Sequence, residues 1–302
     1  MSRILLTGVS GQLGTVVSQT LHKAGRAFRA TDRVRPATPM ADFHRADLLS
    51  TSACRRLVQR VDTLVHLGNI STENFPPRQC LDENVIMNRQ LFQAAAEAGV
   101  RRIIFASSLQ IIALPPGQLP SLPIDETTPA SPQNFYSLSK QCSEQALALF
   151  CRDYGITGVA LRLPTLVYAP HDKGLAPWLK PRPSQGFGYL TYQDAADLIL
   201  TLLDADLPGY RHYVPASSHN ALHLPAEKVL QQFYPGQPLR KELTGHGALF
   251  DLSTLVRETS WVPQDKPLPT PPVPLTWRRR WQSVHRPWLF RLARGMQRRM
   301  RQ

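Results

Sequence analysis

Residues 3–14 read Arg3-Ile4-Leu5-Leu6-Thr7-Gly8-Val9-Ser10-Gly11-Gln12-Leu13-Gly14, and the stretch from Thr15 to Gly25 follows directly. A short apolar run, a glycine-punctuated turn and an amphipathic stretch closed by glycine spell strand, turn and helix. Gly8 permits the tight turn. Gly11 lets backbone approach a pyrophosphate, and Gly14 lets the helix lie close to the sheet, with the helix N-terminus facing the phosphates. The spacing is GxxGxxG rather than GxGxxG. A second strand, Ala27 to Thr31, ends at Asp32, eighteen residues beyond Gly14. A carboxylate at that place accepts from both ribose hydroxyls and repels a 2′-phosphate, which selects NAD over NADP. Arg33, its neighbour, offsets part of that repulsion.

The alternation continues outward. Val61 to Gly68 reads as a buried strand, Asn84 to Ala98 as a helix closed by Gly99, and Arg102 to Ser108 as a further strand ending in hydroxyls. Apolar strands alternating with helices predict an α/β fold, a doubly wound parallel sheet of the Rossmann kind. Ligands bind at the carboxyl ends of such strands, where Gly8, Asp32, His66 and Ser108 fall. Tyr136-Ser137-Leu138-Ser139-Lys140 opens the next helix, which runs through Glu144 and Leu149. Its i, i+4 spacing sets Tyr136 and Lys140 on one face. A tyrosine with a reference pKa of about 10 needs a shift of roughly three units, about 4 kcal/mol, to act as a base near neutrality. An ammonium one turn away and a cationic nicotinamide together supply much of it. Taken singly, Tyr136 is equally a half-buried core tyrosine and Lys140 a solvated lysine.

Composition bounds the rest. The chain has 302 residues, of which 42% are hydrophobic and 19% charged, the make-up of a folded protein. No run of about 18 apolar residues exists, which excludes a transmembrane helix. The opening apolar run breaks at Gly8, too soon for a signal peptide. Four cysteines (Cys54, Cys80, Cys142, Cys151) lie far apart without CxxC spacing. They exclude a zinc ribbon, give no metal site, and point to reduced thiols in a cytoplasmic protein. Of the formal charge of +13, nine arginines lie between Pro267 and Gln302, a stretch without Asp, Glu or Lys, leaving +4 for residues 1–266. The high isoelectric point therefore belongs largely to a tail, and no nucleic-acid partner is expected of the body. Prolines from Pro263 to Pro274 mark 265–276 as an extended linker. A second proline-rich stretch, Pro115 to Pro132, reads as a long surface loop.

These pieces together resemble the extended short-chain dehydrogenase/reductases, the NAD-dependent epimerase/dehydratase group. The resemblance rests on Thr7-Gly8-x-x-Gly11-x-x-Gly14, Asp32, Asp47-Leu48, His66-Leu67-Gly68, Asn84, Ala106-Ser107-Ser108, Tyr136-x-x-x-Lys140 and Leu161 to Pro170. Asp251-Leu252-Ser253-Thr254 through Trp261-Val262-Pro263 is similar to the group's closing pattern. It covers roughly 1–264 and implies an NAD-binding domain there, with substrate-binding segments at about 165–190 and 210–264. By position it implies a cofactor site of Gly8, Ser10, Gly11, Gln12, Leu13 and Gly14 around the phosphates, with Asp32 at the ribose. Asp47 and Leu48 would flank the adenine, and Leu67, Gly68, Asn84 and Leu163 would line the rest. Tyr136 is implied as the acid/base, Lys140 as the holder of the nicotinamide ribose, and Ser108 as the group that orients the substrate hydroxyl. Ser107 and Gln110 stand as candidate substrate contacts. A homodimer through paired helices, the Tyr136 helix among them, is implied as well.

Departures narrow the reaction. The acidic pair that water-eliminating members carry after the hydroxyl is here Leu109-Gln110, which disfavours a 4,6-dehydratase. Tyr168 and Asp194 are only 26 positions apart, short for a lid over a nucleotide sugar. That stretch holds Lys173, Lys180 and Arg182; of these, Lys173 and Arg182 are candidates to meet a substrate carboxylate or phosphate, and ordinary solvated charge is the plain alternative. Val65 to Ser71 with Phe105 to Ser108 is similar to uronate dehydrogenases, which oxidise a free sugar acid. The expected function is hydride transfer at a carbinol of a carbohydrate-type small molecule, as epimerase, dehydrogenase or sugar-acid dehydrogenase. A redox-silent NAD-binding scaffold is the alternative from another class. In the tail, 277–302, Trp281, Val284, Trp288, Leu292, Met296 and Met300 recur at helical spacing among arginines. Such a helix suits an anionic membrane surface, placing the protein at the inner face of the membrane. Packing of the apolar face on protein, nucleic-acid contact and disorder remain the other readings.

Overall fold

The computed structural model describes residues 3–71, 74–112, 119–168 and 183–264. The expected linker and tail, and Lys173, Lys180 and Arg182, lie outside them. Contacts divide the chain into Met1–Leu268 and Pro269–Gln302, and every described element lies in the first unit.

In chain order the elements are β1 (Ile4–Thr7), α1 (Gln12–Lys23), β2 (Phe28–Asp32), β3 (Phe43–Arg45), α2 (Thr51–Leu57), β4 (Thr63–His66), α3 (Pro77–Glu97) and β5 (Arg102–Ser108). Then come α4 (Phe135–Tyr154), β6 (Thr157–Leu163), β7 (Thr165–Val167), β8 (Tyr189–Thr191), α5 (Tyr192–Asp204), β9 (Tyr210–Tyr213), α6 (Ala226–Phe233) and α7 (Ser253–Thr259). Seven strands form one sheet in the order β3-β2-β1-β4-β5-β6-β9, and every pair is parallel. This is the doubly wound order, with its switch point between β1 and β4. A separate parallel pair, β7 and β8, lies outside the sheet.

Alternation along each strand builds two cores. Ile4, Leu6, Val65, Ile104, Val159 and Leu161 pack with apolar residues of α1 and α5 on one face. Leu5, Leu64, Ile103, Phe105 and Ala160 pack with those of α2, α3 and α4 on the other. A strand buried on both faces must be apolar throughout, which is why these runs read as continuous rather than alternating. Helix starts follow local chemistry. Asn134 caps α4, its side chain accepting from Ser137 N–H at 2.8 Å while Ser137 Oγ accepts from Asn134 N–H at 3.2 Å. Gly155, at φ 67°, ends the same helix in the left-handed region.

Two expectations change. Helix α3 begins at Pro77, seven residues before the expected Asn84. Pro76-Pro77 looks like a breaker, but proline at the first helical position forfeits no hydrogen bond and has φ already set. The proline-rich stretch is not simply a surface loop either. Leu122 and Ile124 are buried, and their backbone N–H groups donate to Pro238 and Leu249 carbonyls at 2.9 and 2.8 Å. Their apolar side chains find cover in the 210–264 segment, which proline density alone does not reveal. Among the described residues no helix is long and apolar enough to cross a membrane, and no group of three or more His, Cys, Asp or Glu residues could hold a metal. The four cysteines are all free thiols.

Candidate active site

The turn after β1 is shaped by what glycine lacks. Gly8 sits at φ 73°, and a Cβ there would stand 2.8 Å from Gly68 N. A Cβ on Gly14 would stand 2.0 Å from Gly8 O, so α1 reaches its seat against the turn only through glycine. Asp32 closes the turn from the next strand: Oδ2 accepts from Ser10 N–H at 3.0 Å and Oδ1 from Val34 N–H at 3.3 Å. Beside this turn lies a cavity of about 380 Å³. Of the expected cofactor residues, Gly8, Ser10, Gly11 and Asp32 line one part of it, and Asp47, Leu48, Leu67, Gly68 and Asn84 line the remainder.

Gln12, Leu13, Gly14 and Leu163 are not on that wall. Gln12 opens α1, and its Oε1 accepts from Tyr192 O–H at 2.5 Å, tying the turn to the start of α5. Leu13 packs against the α1-side core, and Leu163 ends β6 in register with Ser108. Asn84 is fully buried, and its amide is engaged by Ile70: it accepts from Ile70 N–H and donates to Ile70 C=O, both at 3.0 Å. It shapes the loop after β4 as well as bordering the cavity. Sequence reasoning missed Glu83, Met87 and Ile70 on the wall. Starting α3 at Pro77 would have put Glu83 in the helix directly before Asn84 and Met87 one turn after it. The Arg33 guanidinium lies 4.0 Å from Glu83 and over the Phe75 ring at 5.9 Å.

Helix α4 carries Tyr136 and Lys140. Tyr136 is half-buried and Lys140 only 2% exposed. Lys140 Nζ donates to Ala106 C=O of β5 at 2.8 Å, 4.7 Å from the Phe105 ring centre and 5.8 Å from that of Tyr136. Burial pushes its pKa down to about 7, with the Glu144 charge opposing. Ser108, at the end of β5, accepts from Gln110 N–H at 3.2 Å. The Gln110 side chain accepts from Asn134 at 3.3 Å, joining the Ser108 loop to the cap of α4. Ser107 faces away from the crevice: its hydroxyl donates to Glu144 at 2.6 Å, and Glu144 pairs with buried Arg162 at 2.9 Å. That correction has a simple cause, since neighbours on a strand point to opposite faces.

His66 ends β4 as expected, but its imidazole turns into the sheet interior. It is fully buried, 5.8 Å from the Phe105 ring centre and 5.9 Å from that of Phe92. Thr7 Oγ1 accepts from Leu67 and Gly68 N–H, both at 3.2 Å, and so has only its own proton to give His66 Nδ1 at 2.7 Å. The imidazole proton therefore sits on Nε2, which donates to Asn88 Oδ1 at 2.7 Å. Asn88 then donates to Ser143 Oγ at 2.8 Å, and Ser143 to Ser139 C=O at 2.7 Å. This buried chain runs from the loop around Gly68 to α4. Burial holds the His66 pKa down to about 4, against the Asn88 hydrogen bond.

Ile86 of α3 and Leu149 of α4 are exposed. Around the second segment, fully buried Asn220 donates to Leu224 C=O at 2.8 Å and to His246 and Gly247 C=O, both at 3.1 Å, holding 210–264 together.

Sheet order, glycine turn and crevice define a Rossmann-type protein. Residues 4–180 match the profile of the NAD dependent epimerase/dehydratase family, more than half of the chain, and the protein belongs to that family. It is similar to a uronate dehydrogenase of Pseudomonas syringae pv. tomato, 32% identical over 182 residues, 59% of this chain and 65% of that protein. It is also similar to a UDP-glucose 4-epimerase of Lactobacillus helveticus, 27% identical over 180 residues, 56% of this chain and 53% of that one. The matched part is thus less than two thirds of either relative's length. Among solved structures, a short-chain dehydrogenase/reductase superfamily protein from Agrobacterium tumefaciens with bound NAD shares the fold at TM-score 0.69 and 20% identity, covering 87% of this chain and 93% of that one.

Lys140 gives a signed pH prediction. Its folded pKa of about 7 lies below the ordinary lysine value of 10.5, so between those pH values the unfolded chain binds the proton more tightly. This group therefore makes stability rise with pH across that window. In urea unfolding, the wild type is expected to gain stability over Lys140→Met between pH 7 and pH 10. A difference that stays flat contradicts the burial of an easily neutralised amine.

Proposed function

We propose that the chain is an NAD-dependent oxidoreductase that works at a carbinol of a sugar-type substrate, with Tyr136 as acid/base, Lys140 beside it and Ser108 at the reacting oxygen. The observation behind this is the side-chain-free glycine turn after β1 together with the Tyr136–Lys140 pair of α4, whose lysine is bonded to β5, two strands along the same sheet.

The residues fit NAD. The turn has no space for a Cβ at Gly8, which leaves backbone N–H groups to face a pyrophosphate. Asp32, Asp47 and Glu83 border the cavity with Arg33, whose guanidinium lies 4.0 Å from Glu83 and over the Phe75 ring. That balance disfavours a 2′-phosphate and supports NAD over NADP. NAD, when bound, takes up hydride from the carbinol carbon. Tyr136 removes the hydroxyl proton as that carbon is oxidised. Ser108, already an acceptor for Gln110 N–H, has its own proton to donate to the same oxygen. Lys140 keeps one proton on Ala106 C=O and has two more for the ribose and the phenol. Its ammonium form favours the phenolate, so a ligand that stabilises charge there raises the amine's pKa and readies the base.

Similarity to a uronate dehydrogenase at 32% identity favours a free sugar acid, with Lys173 and Arg182 as candidate partners for the carboxylate. A nucleotide-sugar epimerase is the second reading, supported by the 27% match to the 4-epimerase. The free thiols support a cytoplasmic setting.

The test is NADH formation with uronic acids, neutral hexoses and nucleotide sugars. Uronic acids are expected to give NADH, and Tyr136→Phe to lose roughly 10²–10⁴-fold in kcat with NAD affinity kept. An isomerised nucleotide sugar without free NADH marks the epimerase. Silence across the panel with NAD still bound marks a redox-silent scaffold and overturns the enzyme reading.

We further propose that 277–302 holds the protein at an anionic bilayer, since its nine arginines each add on the order of 1 kcal/mol near such a surface. Vesicles rich in anionic lipid should sediment the full chain and not a form ending at Pro274; equal sedimentation defeats the idea.

A further inference from the structure

We propose that a cleft beneath the β2–β3 edge of the sheet is a second anion site, suited to a compact soluble ligand with two or more phosphate groups. The cleft has a volume of about 530 Å³ and is lined by Arg3, Arg29, Arg45, Arg56, Arg60 and His44. Ala53 and Leu57 of α2 give it an apolar wall.

The fold assembles these charges from distant parts of the chain. Arg29 pairs in register with Leu5 and so shares the face of the sheet that α2 covers. Its side chain is 12% exposed. Nη1 donates to Leu57 C=O at 2.7 Å and to Gln59 C=O at 3.2 Å, while buried Nε makes no hydrogen bond and lies 3.6 Å from Asp42 Oδ2. Arg60 is held in the left-handed region at φ 59°, a place where glycine or asparagine is usual.

Counter-charge is scarce. Asp42 is the one carboxylate that meets the cluster among the described residues, and Arg3 (3.1 Å), Arg29 (3.6 Å) and His44 (2.6 Å) share it. Burial acts to raise its pKa, but the hydrogen bonds from His44 and Arg3 outweigh that, and the carboxyl stays below its ordinary range. Arg45 donates to a carbonyl, that of Arg33, at 2.8 Å. Arg56 and Arg60 have no carboxylate partner among the described residues. Five guanidinium groups thus face one carboxylate.

The chemistry of the ligand follows from that imbalance. One carboxylate on a ligand would leave most of the excess in place. A phosphate group brings about −1.5 to −2 charge at neutral pH, and its oxygens match the guanidinium fork. The volume suits a small molecule, within the range of about 300–1,000 Å³ common for ligand cavities. Enclosure by α2 and the sheet edge favours a soluble ligand over a flat lipid surface. Ala46 borders both this cleft and the cavity at the glycine turn, so the two sites are neighbours.

The probe is inorganic pyrophosphate, titrated calorimetrically into the full chain saturated with NAD. Arg56→Gln with Arg60→Asn is the variant: both side chains are exposed, and asparagine tolerates the left-handed backbone. One saturable event is expected with NAD present, weakened at least tenfold in the double variant, with NAD affinity unchanged within twofold. Equal binding by the double variant overturns the proposal, as does pyrophosphate binding that NAD abolishes. Loss of anionic-vesicle binding in the variant, without change toward pyrophosphate, also overturns it and assigns the arginines to lipid headgroups.

Discussion

One buried imidazole fixes the relation between the two halves of the crevice. Thr7 Oγ1 accepts two backbone N–H groups from the loop after β4 and has a single proton left for His66 Nδ1. That count forces the proton of His66 onto Nε2, where Asn88 accepts it and relays the contact to Ser143 on α4. No other protonation state satisfies every partner. An imidazolium would need a second acceptor that Thr7 can offer only by dropping a backbone N–H, and nothing in that interior replaces it. The backbone around Gly68 and the helix that bears Tyr136 and Lys140 are therefore set by the same chain of bonds.

Around that fixed frame the fold leaves unfavourable groups where chemistry is expected. Lys140 is almost fully buried, with one carbonyl partner and its pKa near neutrality. The fold would be better served by an apolar residue there, and the proposed proton transfer by the Tyr136 phenol gives the amine a use. Glu144 and Arg162 lie below it as a buried pair bonded to Ser107, a device whose disruption by loss of one partner costs about 3–5 kcal/mol. Titratable groups with perturbed pKa values in a crevice are the usual mark of function.

Much of this was legible in the sequence wherever the cause was local. The glycine turn, Asp32, the apolar strands and the Tyr136–Lys140 spacing are short-range patterns, and they predicted the sheet and the crevice. What failed was long-range. Nothing near His66 in sequence tells that its ring turns inward, because its partners Thr7 and Asn88 lie 59 and 22 residues away. Ser107 and Ser108 look alike as a pair, and only the strand's pleat separates them, one facing Glu144 and the other the loop before α4. The expected helix began at Asn84, whereas α3 starts at Pro77, since proline's meaning depends on which side the helix lies. The arginine cleft was hidden by averaging: a body charge of +4 conceals five arginines that the β2–β3 edge and α2 gather into one place.

The coupling of the glycine turn to the helix that bears Tyr136 and Lys140 stands or falls on the state of His66. A nitrogen-15 to proton correlation spectrum of the histidine rings reads it directly. The account predicts a neutral ring with its proton on Nε2 alone, unchanged from pH 8 down to about pH 5, because burial holds its pKa near 4. A proton on Nδ1, or titration in the ordinary histidine range, would contradict it.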